Sequence, residues 1–194
     1  MKRAVRFFLA TVIFTGVISE VSANTRRDVF IQKRVRADNC RGNLSALYGC
    51  LKSYAAANNG MLPKENGAAG LVKLLNYGAT VDNFRCQAAK RDKPKKVKDL
   101  DWKTVPYLYF GGGNLEKIIK KHPRQLLMID RPDSRHCNAL LADGTVIEIN
   151  TSKFKRKISN CVDLVEVVGM MMGYSSDVLE PLRVKARMMD RNLK

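Results

Sequence analysis

Residues 138–149 read Asn138-Ala-Leu-Leu-Ala-Asp143-Gly144-Thr-Val-Ile-Glu-Ile149, and this stretch decides the fold class. Two short apolar runs, 138–142 and 145–149, flank the dipeptide Asp143-Gly144. That dipeptide between strand-forming runs is what a two-residue type I′ turn requires, so the reading is a tight antiparallel hairpin. Upstream, Gln125 to Asp130 reads as a short buried strand. Tyr107 to Phe110 reads as another, ended by Gly111-Gly112-Gly113. Consecutive strands joined this tightly argue for an antiparallel sheet rather than parallel α/β layers.

Helices bracket the strands. From Asp28 to about Asn58, Cys40, Leu44, Leu47, Tyr48, Leu51, Tyr54 and Ala55 recur at spacings of three and four, one apolar stripe. Asn58-Asn59-Gly60 stops that helix and Pro63 follows the break. A second short helix is expected over Ala68 to Asn76, with Leu71, Leu74 and Leu75 inward. Asn114 caps a helix running through Lys121. Cys161 to Met172 and Asp177 to about Asn192 are helical again, separated by Gly173, with Met170 to Met172 and Met188-Met189 expected in the helix core. The predicted class is α+β: a long N-terminal helix packed on a small antiparallel sheet, with additional C-terminal helices.

The N-terminus carries a different signal. Lys2, Arg3 and Arg6 form a positive segment, Phe7 to Ile18 is apolar, and Val21-Ser22-Ala23 supplies small residues for cleavage. Twelve apolar residues rise only about 18 Å as a helix, short of the roughly 30 Å hydrocarbon core. Residues 1–23 are therefore expected to be a secretory signal peptide, residues 24–150 the α+β domain and residues 151–194 a C-terminal helical extension. The expected location is extracytoplasmic, periplasmic or secreted, with membrane association only through an uncleaved N-terminus.

The 194 residues carry a formal charge of +17. Such a charge favours solubility and acidic partners, nucleic acid and anionic lipid among them. Six of the nine residues from Lys90 to Lys98 are basic: Lys90, Arg91, Lys93, Lys95, Lys96 and Lys98. They read as a solvated loop, with polyanion contact the functional alternative. Trp102 is the one aromatic near them, whereas single-strand binders interleave several for stacking.

Five cysteines matter in an oxidising compartment. Cys40 and Cys50, ten positions apart on one helix, are about 15 Å apart and cannot bridge each other. The hairpin brings residue 137 across from residue 150, so a Cys137–Cys161 bridge is expected, with Cys86 pairing to Cys40 or Cys50. No C-x-x-C occurs, which removes the spacing signature of zinc and thioredoxin-like sites.

Cys40-Arg-Gly-Asn43-Leu44, Leu47, Leu51, Tyr54-Ala55, Asn59-Gly60 and Pro63 are similar to the post-membrane helix of prepilin-like proteins, relatives of the pseudopilins of type II secretion. Phe84-Arg85-Cys86, Tyr107-Leu-Tyr-Phe-Gly111-Gly112, Asp130, Arg135-His136 and Asn138 to Gly144 follow in the family's order. The last block resembles that family's His-to-Asp-Gly motif. The resemblance covers about residues 36–149. It implies a pilin-like fold and a non-enzymatic role in secretion or surface assembly, through protein partners and without a cofactor. The family's Gly-Phe-Thr-Leu-Ile-Glu type processing site and long apolar helix have no counterpart here. Arg26, Arg27, Lys33, Arg34 and Arg36 crowd the corresponding region.

His136, Asn138, Asp143 and Gly144 form the structural motif of the sequence. His136 has Asp130, Asp133 and Asp143 near it, so a hydrolase centred on His136 is the less favoured alternative. The preferred reading makes it an anchor of the loop before the hairpin, because no nucleophile or ligand spacing accompanies it. No catalytic or metal residue is assigned. His122 closes a helix at its negative end. Asp143-Gly144 lacks the run of acidic ligands a calcium loop needs. Gly111-Gly112-Gly113-Asn114 lacks the lysine-serine ending of a phosphate loop.

Overall fold

A computed structural model describes residues 31, 35, 38–86, 93–131, 137–150 and 158–192. The chain divides into two units, Met1–Arg36 and Ala37–Lys194. In the first, the described residues Ile31 and Val35 are helical and about half exposed. The expected signal segment, 1–23, lies outside the described residues. Among those described, no helix is long and apolar enough to cross a membrane.

The second unit is α+β. Its first helix, α1, spans residues 38–57, and the stripe read from the sequence is its buried face: Cys40, Leu44, Leu47, Leu51 and Ala55. Each fully buried leucine of that stripe contributes about 1.5–3 kcal/mol relative to exposure. Asn59 and Gly60 take positive φ, 53° and 78°, and the Gly60 N–H donates back to Ala55 O at 2.7 Å, which ends the helix. A short helix α2 (Ala68–Val72) runs into a 3₁₀ turn, Lys73–Tyr77, stopped by left-handed Gly78.

Four strands follow: β1 (Tyr107–Tyr109), β2 (Leu126–Asp130), β3 (Asn138–Leu141) and β4 (Val146–Glu148), in the order β1-β2-β3-β4 and antiparallel throughout. Helix α3 (Leu115–Lys121) lies between β1 and β2, with the Asn114 side chain accepting from Lys117 N–H as its cap. Helices α4 (Cys161–Met172) and α5 (Ser176–Asn192) complete the unit.

The sheet is covered on both faces. Tyr107, Tyr109, Leu127, Met128 and Leu140 pack with α1 and α2, while Leu108, Phe110, Leu126, Ile129 and Ala139 pack with α4 and α5. This is why the strands read as unbroken apolar runs and not as the alternation of a half-solvated sheet. A β-bulge in β2 sets Leu126 opposite Leu141 and Met128 opposite Leu140, and it turns Leu127 and Met128 to the same face. The C-terminal helices pack back to the sheet. Asp190 near the end of α5 accepts from the Cys161 and Val162 N–H groups at the start of α4, at 2.8 and 3.3 Å.

The hairpin differs from the sequence reading. Asn138 pairs with Glu148 and Leu140 with Val146, which leaves three residues, Ala142 to Gly144, beyond the Leu141–Thr145 bond. Of these only Gly144 has positive φ, at 88°. A type I′ turn needs positive φ at both central residues, so the connection is a three-residue loop with the glycine in the left-handed position. Residue 137 consequently faces Ile149, whose N–H donates to Cys137 O at 2.7 Å.

Two further expectations are corrected. Cys137 and Cys161 are buried thiols in one cluster and are not joined. Met189 is buried, but Met170, Met171 and Met188 are exposed. Each of the three sits on a helix whose opposite side already covers the sheet.

Candidate functional site

The concentration of buried polar groups lies at one end of the sheet, where β1, β2 and β3 come together. Asp130 closes β2 and is fully buried. Its Oδ2 accepts from the Asn138 backbone N–H at 2.7 Å and from Asn138 Nδ2 at 2.9 Å. Asn138, also fully buried, opens β3. The pair therefore clamps the two ends of the stretch 131–137. Tyr107, in register with Asp130, buries its hydroxyl there. Burial, and then the charge of Asp130, pushes that hydroxyl well above its ordinary value. Arg131 donates from its guanidinium to Trp102 O and from its backbone to Pro106 O.

Asp133, Arg135 and His136 lie outside the described residues, so the histidine of the sequence motif is not placed. Asn138 is placed, as the clamp. Asp143 is spent on its own turn, Oδ1 accepting from Thr145 N–H at 2.8 Å, and Gly144 supplies the left-handed residue. Among the described residues, no group of three or more His, Cys, Asp or Glu side chains could hold a metal ion. His122 caps α3 and sets Nε2 3.5 Å from Asp177 Oδ2.

The basic turn is ordered from beneath. Asp99 Oδ2 accepts from the Lys95 and Lys96 N–H groups at 3.0 and 2.9 Å, which lowers its carboxyl, and Arg85 Nε donates to Pro94 O at 2.8 Å. Lys93, Lys95, Lys96 and Lys98 are exposed around it, while Lys90 and Arg91 fall outside the described residues. Trp102 is half-buried between both apolar clusters, so it offers no stacking platform beside the lysines.

The glycine run 111–113 is a packing device. Gly111 N–H donates to Asn66 Oδ1 and Gly112 N–H to Pro63 O, so these amides are taken by the protein. A Cβ at Gly111 would lie 2.4 Å from Glu65 O and 2.6 Å from Pro63 O. Lys185 reaches from α5 to donate to Gly111 O at 2.5 Å, and burial lowers its ammonium.

Two features were not legible in the sequence. One is an open cleft of about 480 Å³ between α1 and α3, edged by Tyr48, Lys52, Asn59, Asn114 and Glu116. The other is a sulfur pair: Cys40 Sγ stands 2.9 Å from Cys86 Sγ, both side chains buried. The five cysteines signalled disulfide chemistry, but the spacing left two partners open for Cys86.

No known protein family, curated protein or solved structure matches the chain.

Proposed function

We propose that the chain is a pilin-like, non-enzymatic protein that works outside the cytoplasm, in secretion or surface assembly, through contacts with other proteins. The observation that carries the reading is the laying of α1, by its stripe Leu44, Leu47 and Leu51, along one face of an antiparallel meander. The ordered resemblance over residues 36–149 and the signal-like residues 1–23 support it. Ile31 and Val35 supply a contact: two exposed apolar residues one helical turn apart, in the unit before the sheet domain.

Cross-linking the full chain in its own cells, followed by isolation from the envelope fraction, tests the reading. The expected result is a mature N-terminus at Asn24 and recovery of envelope assembly proteins, reduced when Ile31 and Val35 are both changed to aspartate. A cytoplasmic protein still beginning at Met1 overturns it.

The exposed lysines 93, 95, 96 and 98 favour a second reading, polyanion binding by the basic turn. Binding of this kind to DNA or anionic vesicles weakens steeply as salt rises. Replacing the four lysines by glutamine should abolish it, and binding indifferent to both changes rules the reading out.

A further inference from the structure

We propose that Cys40 and Cys86 form a disulfide that ties the first turn of α1 to the segment leaving the 3₁₀ turn Val81–Phe84. The inference rests on the extracytoplasmic location proposed above, since a disulfide persists only in an oxidising compartment, but not on the pilin-like role.

In the structure the two are thiols, and Cys40 donates to Cys86 Sγ at 2.9 Å. Unbonded heavy atoms pack best at about 3.5–4.0 Å, and a disulfide bond is about 2.05 Å, so the pair sits between contact and bond. A second interaction brings the same two segments together: Asn43 Nδ2 donates to Arg85 O at 3.2 Å. Of the two partners the sequence left open for Cys86, the geometry selects Cys40. Cys50 lies on the same helix but stands near Gly78, where an added Cβ would lie 4.0 Å from its sulfur.

The chemistry is thiol–disulfide exchange. One cysteine thiolate attacks a sulfur of a donor disulfide, of a protein oxidant or of oxidised glutathione, and releases one donor thiolate. The other cysteine then attacks the mixed disulfide at the protein sulfur and releases the second. Two electrons pass to the donor, which leaves as two thiols, and the protein's two protons go to solvent or to the departing thiolates.

Burial fixes the order of events. Cys40 and Cys86 are 0% and 2% exposed, so a donor reaches them before the core closes, and a reductant is shut out afterwards. The bond is therefore a staple made during folding, not a switch thrown in the native protein. It closes a long loop, the residues being 46 positions apart, which is where a cross-link constrains the unfolded chain most.

The full chain exported to an oxidising compartment tests this. Unfolded in guanidinium without reductant it should show three reactive thiols, and five after reduction. Peptide mapping should join Cys40 to Cys86. Dithiothreitol should leave the bond intact in the native protein and cleave it at once in the unfolded one. The Tm should fall by about 10 °C in the reduced protein. C40S, C86S and the double variant should fall by the same amount, while C50S should keep the bond and show two thiols instead of three. Five thiols in the unreduced protein, or a map joining Cys86 to Cys50, overturns the proposal. Because the thiol count uses the unaltered chain, a variant that fails to fold does not obscure the answer.

Discussion

Asp130 holds Asn138 twice, once by backbone and once by side chain, with 2.7 and 2.9 Å bonds to the same carboxylate oxygen. Both residues are fully buried, so neither bond competes with water. The two bonds join the end of β2 to the start of β3, and the chain between them carries the His136 motif. Whatever His136 does, Asp130 and Asn138 fix the positions at which its segment begins and ends.

Asn138→Ala removes one donor and should cost about 1.5–3 kcal/mol, the range for a hydrogen bond to a charged group. Asp130→Ala should cost more, because it strands both donors of Asn138 in the core. Urea unfolding monitored by circular dichroism measures the two. A loss under about 0.5 kcal/mol for Asn138→Ala would be surface behaviour and would remove the clamp from the account.

Gly144 does two things that alanine cannot. Its φ of 88° is left-handed, and a Cβ there would lie 2.4 Å from the ring of Tyr48. Tyr48 in turn donates from α1 to Ala142 O at 2.9 Å, so the helix and the hairpin loop are joined at this point. Gly144→Ala should destabilise by about 2–4 kcal/mol, combining the left-handed penalty with overpacking. Tyr48→Phe, which loses only the hydroxyl bond, should cost about 0.5–1.5 kcal/mol. Equal losses in the two variants would mean that the ring contact does not constrain the glycine.

Gly42 and Gly49 are the contrasting case. Both lie inside α1, both are exposed, and a Cβ at either meets nothing within 4 Å. Alanine should therefore stabilise by about 0.5–1 kcal/mol at each site, through helix propensity alone. The sites are two turns apart with no shared partner, so the double variant should show the sum. A rise of a few degrees in Tm is the expected readout, and a fall would point to a surface already committed to a partner.

The local pattern carried most of the elements. The three-and-four spacing from Cys40 to Ala55 named the buried face of α1, and Gly173 marked the break between α4 and α5. What escaped was long-range. Leu126 to Ile129 looked like any buried strand, and nothing in it announced a bulge that turns Leu127 and Met128 to one face. Asp143-Gly144 suits a two-residue or a three-residue connection. Ala142, which decides between them, carries no side-chain signal. The clamp was invisible for the same reason: Asp130 and Asn138 are eight positions apart, and spacing along a chain says nothing about pairing across strands.

The last prediction concerns alkaline pH and separates thiols from a bridge. Burial raises the Cys137 and Cys161 thiols far above the ordinary value, with Asp130 adding to the first and Asp190 to the second. A group whose folded pKa is raised contributes stability that is complete below its unfolded value, about 8.5 for cysteine, and that is lost as pH rises towards the folded value. Stability should therefore hold to about pH 8.5 and then fall by about 1.4 kcal/mol per pH unit for each thiol, until the folded chain releases its protons too. Tyr107, Tyr109 and Tyr174, also raised by burial, steepen the fall above about pH 10. Lys185 works the other way, since its lowered ammonium stabilises as pH rises, but it is one group against several. Urea midpoints at pH 7, 9 and 10 give the slope, and Cys137→Ala should reduce it by the share of one thiol. A Cys137–Cys161 bridge would have no proton to lose. A slope from pH 8.5 to 9.5 no larger than the Cys50 thiol, also raised by burial, accounts for, and one that steepens in Cys137→Ala because Cys161 is then left as a thiol, would show that these two sulfurs are joined after all.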